Sequence, residues 1–271
     1  MKKYLAEFIA TFLLTFICCG AASFTGGYSG YLGVVGIALI FGLTAAVLVS
    51  VFGNISGCHM NPAVSLAMLI SRRISIIDFM GYVVAQFIGG IAAGFALYGV
   101  SLSFDDVVVS QYQSYGYDLV GLGTNGYGEA STFLKISVWG AFTVEIILTF
   151  VFVLTVLAVT MKKSFKNTAA IIVGESLAAV HLFGITLTGT SVNPARSFGP
   201  ALAKAVVGDA TPLSQVWVFI AAPLAGGIIA ALCYMIFASS GVKENINRKE
   251  TETVKTENKE VKSDNSEEIS E

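Results

Sequence analysis

The sequence predicts an all-α membrane protein with six transmembrane helices and two re-entrant half-helices, built as an inverted repeat of three spans plus three. Three observations carry that expectation. Hydrophobic residues make up 55% of the 271 positions and charged residues only 13%, a balance that places the chain among integral membrane proteins. The apolar residues come in long runs rather than in alternation. Finally, residue patterns of the first half return in the second.

Crossing a hydrocarbon core of ~30 Å takes roughly 20 helical residues. Six runs meet that requirement, near residues 4–23, 33–53, 78–100, 136–160, 167–187 and 214–238. Two further apolar pieces, 62–70 and 194–206, are too short to cross, and each begins with Asn-Pro; they are expected to be re-entrant half-helices. Lys2, Lys3, Arg72, Arg73, Lys162, Lys163 and Lys166, together with the C-terminal tail, fall on one side of this topology. The bias of basic residues makes that side the cytoplasm, so a multi-pass plasma-membrane protein with both termini inside is expected. The other side receives residues 101–135, with Asp105, Asp106, Asp118, Glu129 and a single Lys135, plus the short segment holding Lys204 and Asp209. A loop so long is more often packed or functional than idle.

Residues 243–271 hold six Lys/Arg, nine Asp/Glu and almost no large apolar side chain, the composition of a solvated, disordered tail. The expected organisation is therefore a membrane domain over residues 1–241, with repeats at about 1–100 and 136–241 joined by the outer loop 101–135, and a charged cytoplasmic tail over 242–271. Cys18, Cys19, Cys58 and Cys233 all sit in apolar stretches, which indicates no disulfide framework.

Glu7-x-x-x-Thr11-Phe12 recurs as Glu145-x-x-x-Thr149-Phe150, Asn61-Pro62-Ala63 as Asn193-Pro194-Ala195, and Gly89-Gly90 as Gly226-Gly227, at a near-constant offset. Three spans per half is an odd number, so the two copies enter the membrane from opposite faces and place a shared site near the midplane. The glycine pairs suit close helix packing.

The chemistry follows from that geometry. Asn61 and Asn193 can each cap the first free N–H groups of a half-helix, and Pro62 and Pro194 fit the first helical position without loss of a donor. Two opposed helix N-termini, each carrying roughly half an elementary charge, create a positive maximum at the bilayer centre. Each asparagine can accept at the cap and still offer its NH₂ to a lumen, where a water accepting from both is badly placed to pass a proton on. Glu7 and Glu145 are acids in apolar spans and serve either as a proton or ion site or as acceptors for freed backbone. Arg196 at this depth needs a water-filled cavity or a route to the interface. His181 reads as a lining group or a satisfied core histidine, and Phe41 alone as an ordinary helix aromatic.

The stretches Ser56-Gly57-Cys58-His59-Met60-Asn61-Pro62-Ala63-Val64 and Thr190-Ser191-Val192-Asn193-Pro194-Ala195-Arg196-Ser197 resemble the two signature loops of the aquaporin (major intrinsic protein) family. The likeness runs from about residue 3 to 238, takes in Asn125-Gly126-Tyr127-Gly128-Glu129, and is strongest to bacterial water channels. It implies a water-selective pore, driven osmotically, that excludes protons and ions, with one pore per subunit of a homotetramer. It assigns Phe41, His181, Thr190 and Arg196 to the narrowest constriction: the two rings narrow the bore, Thr190 exposes a backbone carbonyl and Arg196 repels cations. It also gives Glu7 and Glu145 the role of acceptors from the signature loops and His59 a lining position in the cytoplasmic half. Two positions depart from the pattern. Glu175 stands where an apolar residue is usual, facing the lumen, a subunit contact or the cytoplasmic mouth, and Ile220 replaces an aromatic.

A glycerol facilitator of the same family is the alternative; its pattern of Gly at the His181 position, an aromatic at Thr190 and Asp at Ser197 is absent. An enzyme would need a nucleophile and base, or metal ligands, within reach of each other, and the chain has two histidines, His59 and His181, placed on opposite halves of the pore. A coupled transporter would expose paired acids to an ion path. No catalytic residue, metal or cofactor is expected, no nucleic-acid partner either; the partners are water as permeant and the lipid bilayer.

Overall fold

The computed structural model describes residues 1–237, except 26, 28, 29, 118, 132, 162 and 166. Six helices have the length and apolar character to cross a membrane: α1 (Lys2–Phe24), α2 (Gly33–Ser56), α4 (Ile76–Ser101), α6 (Val138–Met161), α7 (Ala169–Thr188) and the last, α9 (Thr211–Phe237). Two shorter ones, α3 (Pro62–Ile70) and α8 (Pro194–Val206), have 9 and 13 residues. At about 1.5 Å per residue neither can cross. The expected spans and half-helices are thus present, their ends within three residues of expectation. Residues Met1–Ala231 make one compact unit. From Leu232 onward the described residues continue α9 to Phe237, and the expected tail over 242–271 lies outside the described residues, as do Lys162 and Lys166.

The outer loop contains an element that apolar periodicity did not announce. α5 (Asp106–Ser114) is capped by Asp105, whose Oδ1 accepts from the Val107 and Val108 N–H groups, and none of its residues is buried. Its pattern carries no apolar stripe, so only the cap was there to be seen.

Each half places its half-helix against the other half. α4 packs on α1 and α8, and α2 packs on α1 and α7. The glycine pairs make this possible. A side-chain carbon at Gly89 would meet the Phe8 carbonyl of α1, and one at Gly90 the Ala195 carbonyl of α8. In the second half Gly226 lies equally close to the Ile146 carbonyl of α6, and Gly227 to Ala63 of α3. The third span of each repeat therefore touches its own first span and the opposite half-helix, and the inverted repeat is locked together at the centre.

Candidate functional site

The two half-helices begin alike. Asn61 accepts from Ala63 N–H and Asn193 from Ala195 and Arg196 N–H, each with proline at the first helical position. The loops leading to them use matching left-handed residues: Gly57, Cys58 and Met60 in one, Gly189, Thr190 and Val192 in the other. Left-handed backbone costs about 1–2 kcal/mol for a non-glycine residue. Two buried carboxylates hold it in place. Glu7 accepts from Ser56 Oγ, His59 N, Met60 N and Gln86 Nε2 at 2.6–2.9 Å. Glu145 accepts from Thr188 Oγ1, Ser191 N and Val192 N at 2.7–2.9 Å. Hydrogen bonds to a charged group contribute about 1.5–3 kcal/mol each, which exceeds the backbone cost. Both acids are fully buried behind the loops and line neither of the cavities described below.

The asparagine amides do more than cap. Asn61 Nδ2 donates to the Val192 carbonyl at 2.7 Å and Asn193 Nδ2 to the Met60 carbonyl at 2.8 Å. One N–H of each stitches the two signature loops together, a contact the sequence did not announce, and one remains as the donor expected for a lumen. The stitch also fixes the two half-helix N-termini end to end.

A narrow internal cavity of about 30 Å³ runs along these groups, lined by Cys58, His59, Asn61, Asn193 and, at its far end, Phe41, His181 and Arg196. That is room for one or two waters. A second cavity of about 80 Å³, lined by Gly123, Thr124 and Gly189, shares Phe41 and Arg196 with it, so these two side chains form the wall between the pockets. The Phe41 and His181 rings stack with centroids 3.8 Å apart, and the Arg196 guanidinium carbon lies 5.4 Å from the centre of the Phe41 ring. His181 Nδ1 lies 2.8 Å from the Leu177 carbonyl. A carbonyl only accepts, so Nδ1 carries the proton and Nε2 presents a lone pair.

Arg196 is buried yet makes no ion pair among the described residues. Its Nη1 donates to the Gly123 carbonyl at 2.8 Å and to Asn125 Oδ1 at 2.7 Å, and its Nη2 reaches the Gly189 carbonyl at 3.4 Å. All three acceptors are neutral, so the positive charge stays uncompensated at the wall. His181 Nε2, Arg196 Nε and Thr190 Oγ1 are buried with no partner. Two of these, His181 Nε2 and Arg196 Nε, belong to side chains lining the inner cavity, and unpaired polar atoms there are the signature of a site that water completes. Thr190 itself lies on neither cavity wall; its hydroxyl stands against Gly184, where a side chain would collide with it.

Several supporting residues escaped the sequence reading as site members. Asn125 accepts from both Arg196 and Ser197 and donates to the Thr188 carbonyl. Gln215 of α9 accepts from the Tyr127 N–H and donates to the Tyr127 carbonyl. On the inner side Ser65 Oγ accepts from Gln86 Nε2 and lies 3.0 Å from His59 Nδ1. For Asn125 the sequence signals were the length of its loop and the family likeness of Asn125-Gly126-Tyr127-Gly128-Glu129, while nothing marked Gln215. Glu175 is exposed on α7 and lines neither cavity, which removes the lumen from its options.

The family model of the Major intrinsic protein family matches residues 1–234. The chain belongs to that family. Aquaporin Z of Rhodopseudomonas palustris is 36% identical over 249 residues, covering 90% of this chain and 98% of the relative. Aquaporin Z of Brucella melitensis is 39% identical over 235 residues, 86% of this chain and 96% of the relative. The glycerol uptake facilitator protein-like 6 of Lactiplantibacillus plantarum is also 39% identical, over 240 residues, 88% of this chain and 99% of the relative. Among solved structures, the aquaglyceroporin from Plasmodium falciparum superposes with a TM-score of 0.68 at 22% identity, covering 86% of this chain and 94% of that one, which supports the shared fold. As a member of the major intrinsic protein family the chain is a multi-pass membrane channel and not an enzyme.

Proposed function

We propose that the chain is a water-selective channel, driven by osmotic gradients, that excludes protons and ions. The observation that carries this is the wall shared by the two cavities, where His181 stacked on Phe41 faces the buried, unpaired charge of Arg196. Water can donate to His181 Nε2 and accept from Arg196 Nε. A carbon-bearing polyol needs a wider bore than water, and the stacked rings occupy space at that wall. Protons are opposed at a second place: the remaining N–H of Asn61 and of Asn193, with two half-helix N-termini behind them, orient a water as acceptor from both sides. Arg196 adds a repulsive charge for cations nearer the outer mouth. Thr190, His59, Glu7 and Glu145 support this path, the last two by holding the loops.

The glycerol reading has the facilitator-like relative in its favour. Against it stand His181, Thr190 and Ser197, where the facilitator pattern has Gly, an aromatic and Asp. The channel sits in the plasma membrane with both termini cytoplasmic, as the basic residues Lys2, Lys3, Arg72 and Arg73 support, and assembles as a homotetramer like its family. Stopped-flow light scattering on proteoliposomes tests the permeant directly. Rapid shrinkage under sucrose with slow glycerol re-entry is expected; fast glycerol re-entry would replace the water reading with the facilitator.

A further inference from the structure

A third cavity, of about 1050 Å³, opens where the outer loop passes the end of α1, and it shares no lining residue with the two pore cavities. Its walls are rich in rings. Phe24, Phe104, Tyr112, Tyr115 and Tyr117 line it together with Asp105. Phe24 and Phe104 meet edge to face with centroids 5.0 Å apart, and the rings of Tyr112 and Tyr117 stand 5.8 Å apart at 48°. Val108, Tyr112 and Tyr115 follow one another at steps of four and three along α5 and its C-cap, and all three line the cavity while remaining exposed. α5 thus turns its apolar face to the cavity and leaves it uncovered. A helix of only nine residues is marginal in water unless packing on such a face supports it.

The charge on the walls decides what suits the space. Segments 24–31 and 103–119, which supply the lining, contain no Lys, Arg or His but hold Asp105, Asp106 and Asp118. Lys135, the next cation along the chain, is paired with Glu129 at 2.6 Å. Asp105 makes no ion pair among the described residues. Its Oδ1 accepts from the Val107 and Val108 N–H groups at 2.9 and 3.1 Å, and the cap leaves the second carboxylate oxygen over. An anion would meet like charge here, and a wholly apolar guest would leave the carboxylate unanswered. A cation whose charge is spread over methyl groups answers both, because ring faces attract it and a carboxylate neutralises it. Aromatic walls with one or two placed polar groups are the usual make-up of a small-molecule site.

We propose that this cavity binds an organic cation, a quaternary or methylated ammonium, with the aromatic rings around the charge and Asp105 as its counter-ion. The group arrives either on a free solute or on a lipid headgroup, and the test separates the two. The full chain is reconstituted in phosphatidylglycerol vesicles, and binding of radiolabelled choline is measured by equilibrium dialysis against protein-free vesicles. Saturable binding is expected, displaced by tetramethylammonium and about tenfold less well by dimethylbutanol, the neutral isostere with carbon in place of nitrogen. Asp105→Asn keeps the cap of α5 and removes the charge, whereas Tyr112→Leu keeps apolar bulk and removes the ring. Each should weaken choline binding several-fold, with thermal melting as the check that both variants are folded. The measurement is then repeated in phosphatidylcholine vesicles. Loss of choline binding there assigns the cavity to the headgroup, and unchanged binding assigns it to a free solute. Equal displacement by dimethylbutanol and tetramethylammonium overturns the proposal on the wild type alone. Full affinity in folded Asp105→Asn and Tyr112→Leu, or no saturable binding in phosphatidylglycerol, overturns it as well.

Discussion

Replacing Arg196 by Val removes the one unpaired charge at the constriction, and the structure sets the size of the effect. A monovalent cation passing at the 5.4 Å that separates the guanidinium carbon from the Phe41 ring centre is repelled by about 3 kcal/mol at an effective dielectric of about 20, and by about 0.8 kcal/mol in bulk water. One decade in rate corresponds to about 1.4 kcal/mol, so cation flux should rise by between about fourfold and about two hundredfold. Water flux should persist, because the His181–Phe41 pair is untouched. Proton exclusion should survive in part, since the opposed N-termini at Asn61 and Asn193 remain. The assay is liposomes with a cation-selective dye and a pH-sensitive dye read side by side, and Arg196→Lys serves as the charge-retaining control. If Arg196→Val conducts water normally and leaks no more cation than the wild type, the charge at this wall is not the cation barrier.

Three further expectations bear on other parts of the path. His181→Gly combined with Thr190→Phe removes the imidazole from the Phe41 face and should raise glycerol flux several-fold in the shrinkage assay; a folded, water-permeable double variant that stays glycerol-tight would place the constriction elsewhere. Cys58 lines the inner cavity next to His59, so mercurials should block water flux in the wild type and lose most of that effect in Cys58→Ser, while equal inhibition of both would move the reactive thiol to another position. Glu145→Leu strips the acceptor from the buried Ser191 and Val192 N–H groups at about 1–3 kcal/mol each, a large part of a total stability of about 5–15 kcal/mol. A sharp fall in thermal unfolding temperature in detergent should follow, and an unchanged melting curve would show that the carboxylate does not hold the loop.

What the sequence made legible was whatever repeats or runs. Spans follow from hydrophobic length, and the half-helices from Asn-Pro opening pieces too short to cross. The repeat marked Glu7 and Glu145 as equivalent acids, and the family likeness implied that each accepts from a signature loop. Contacts that link distant segments without a pattern were not readable. The clamp of Gly123 and Asn125 on Arg196, and the grip of Gln215 on Tyr127, join a loop to helices some 70 to 90 positions away, and no local periodicity records them. The asparagine amides show the same limit from the other side. Their capping role is a local rule, whereas their donation to Val192 and Met60 depends on two loops meeting tip to tip. Thr190, assigned to the constriction by likeness, has its side chain turned to Gly184, a direction that its left-handed backbone sets and that residue identity does not.

The cross-donation between Asn61 and Val192 and between Asn193 and Met60 bears on how cargo can move. Carriers built from inverted repeats work by rocking one half against the other, so that a central site opens to each side in turn. Here the halves are riveted at the very point about which they would have to pivot, and each half's third span is wedged against the other's short helix. A rocking stroke would tear both rivets and strand four buried polar groups at once. The fold therefore favours a standing passage: with the halves tied at the pivot, coupling to an ion gradient has no rocking element to act on.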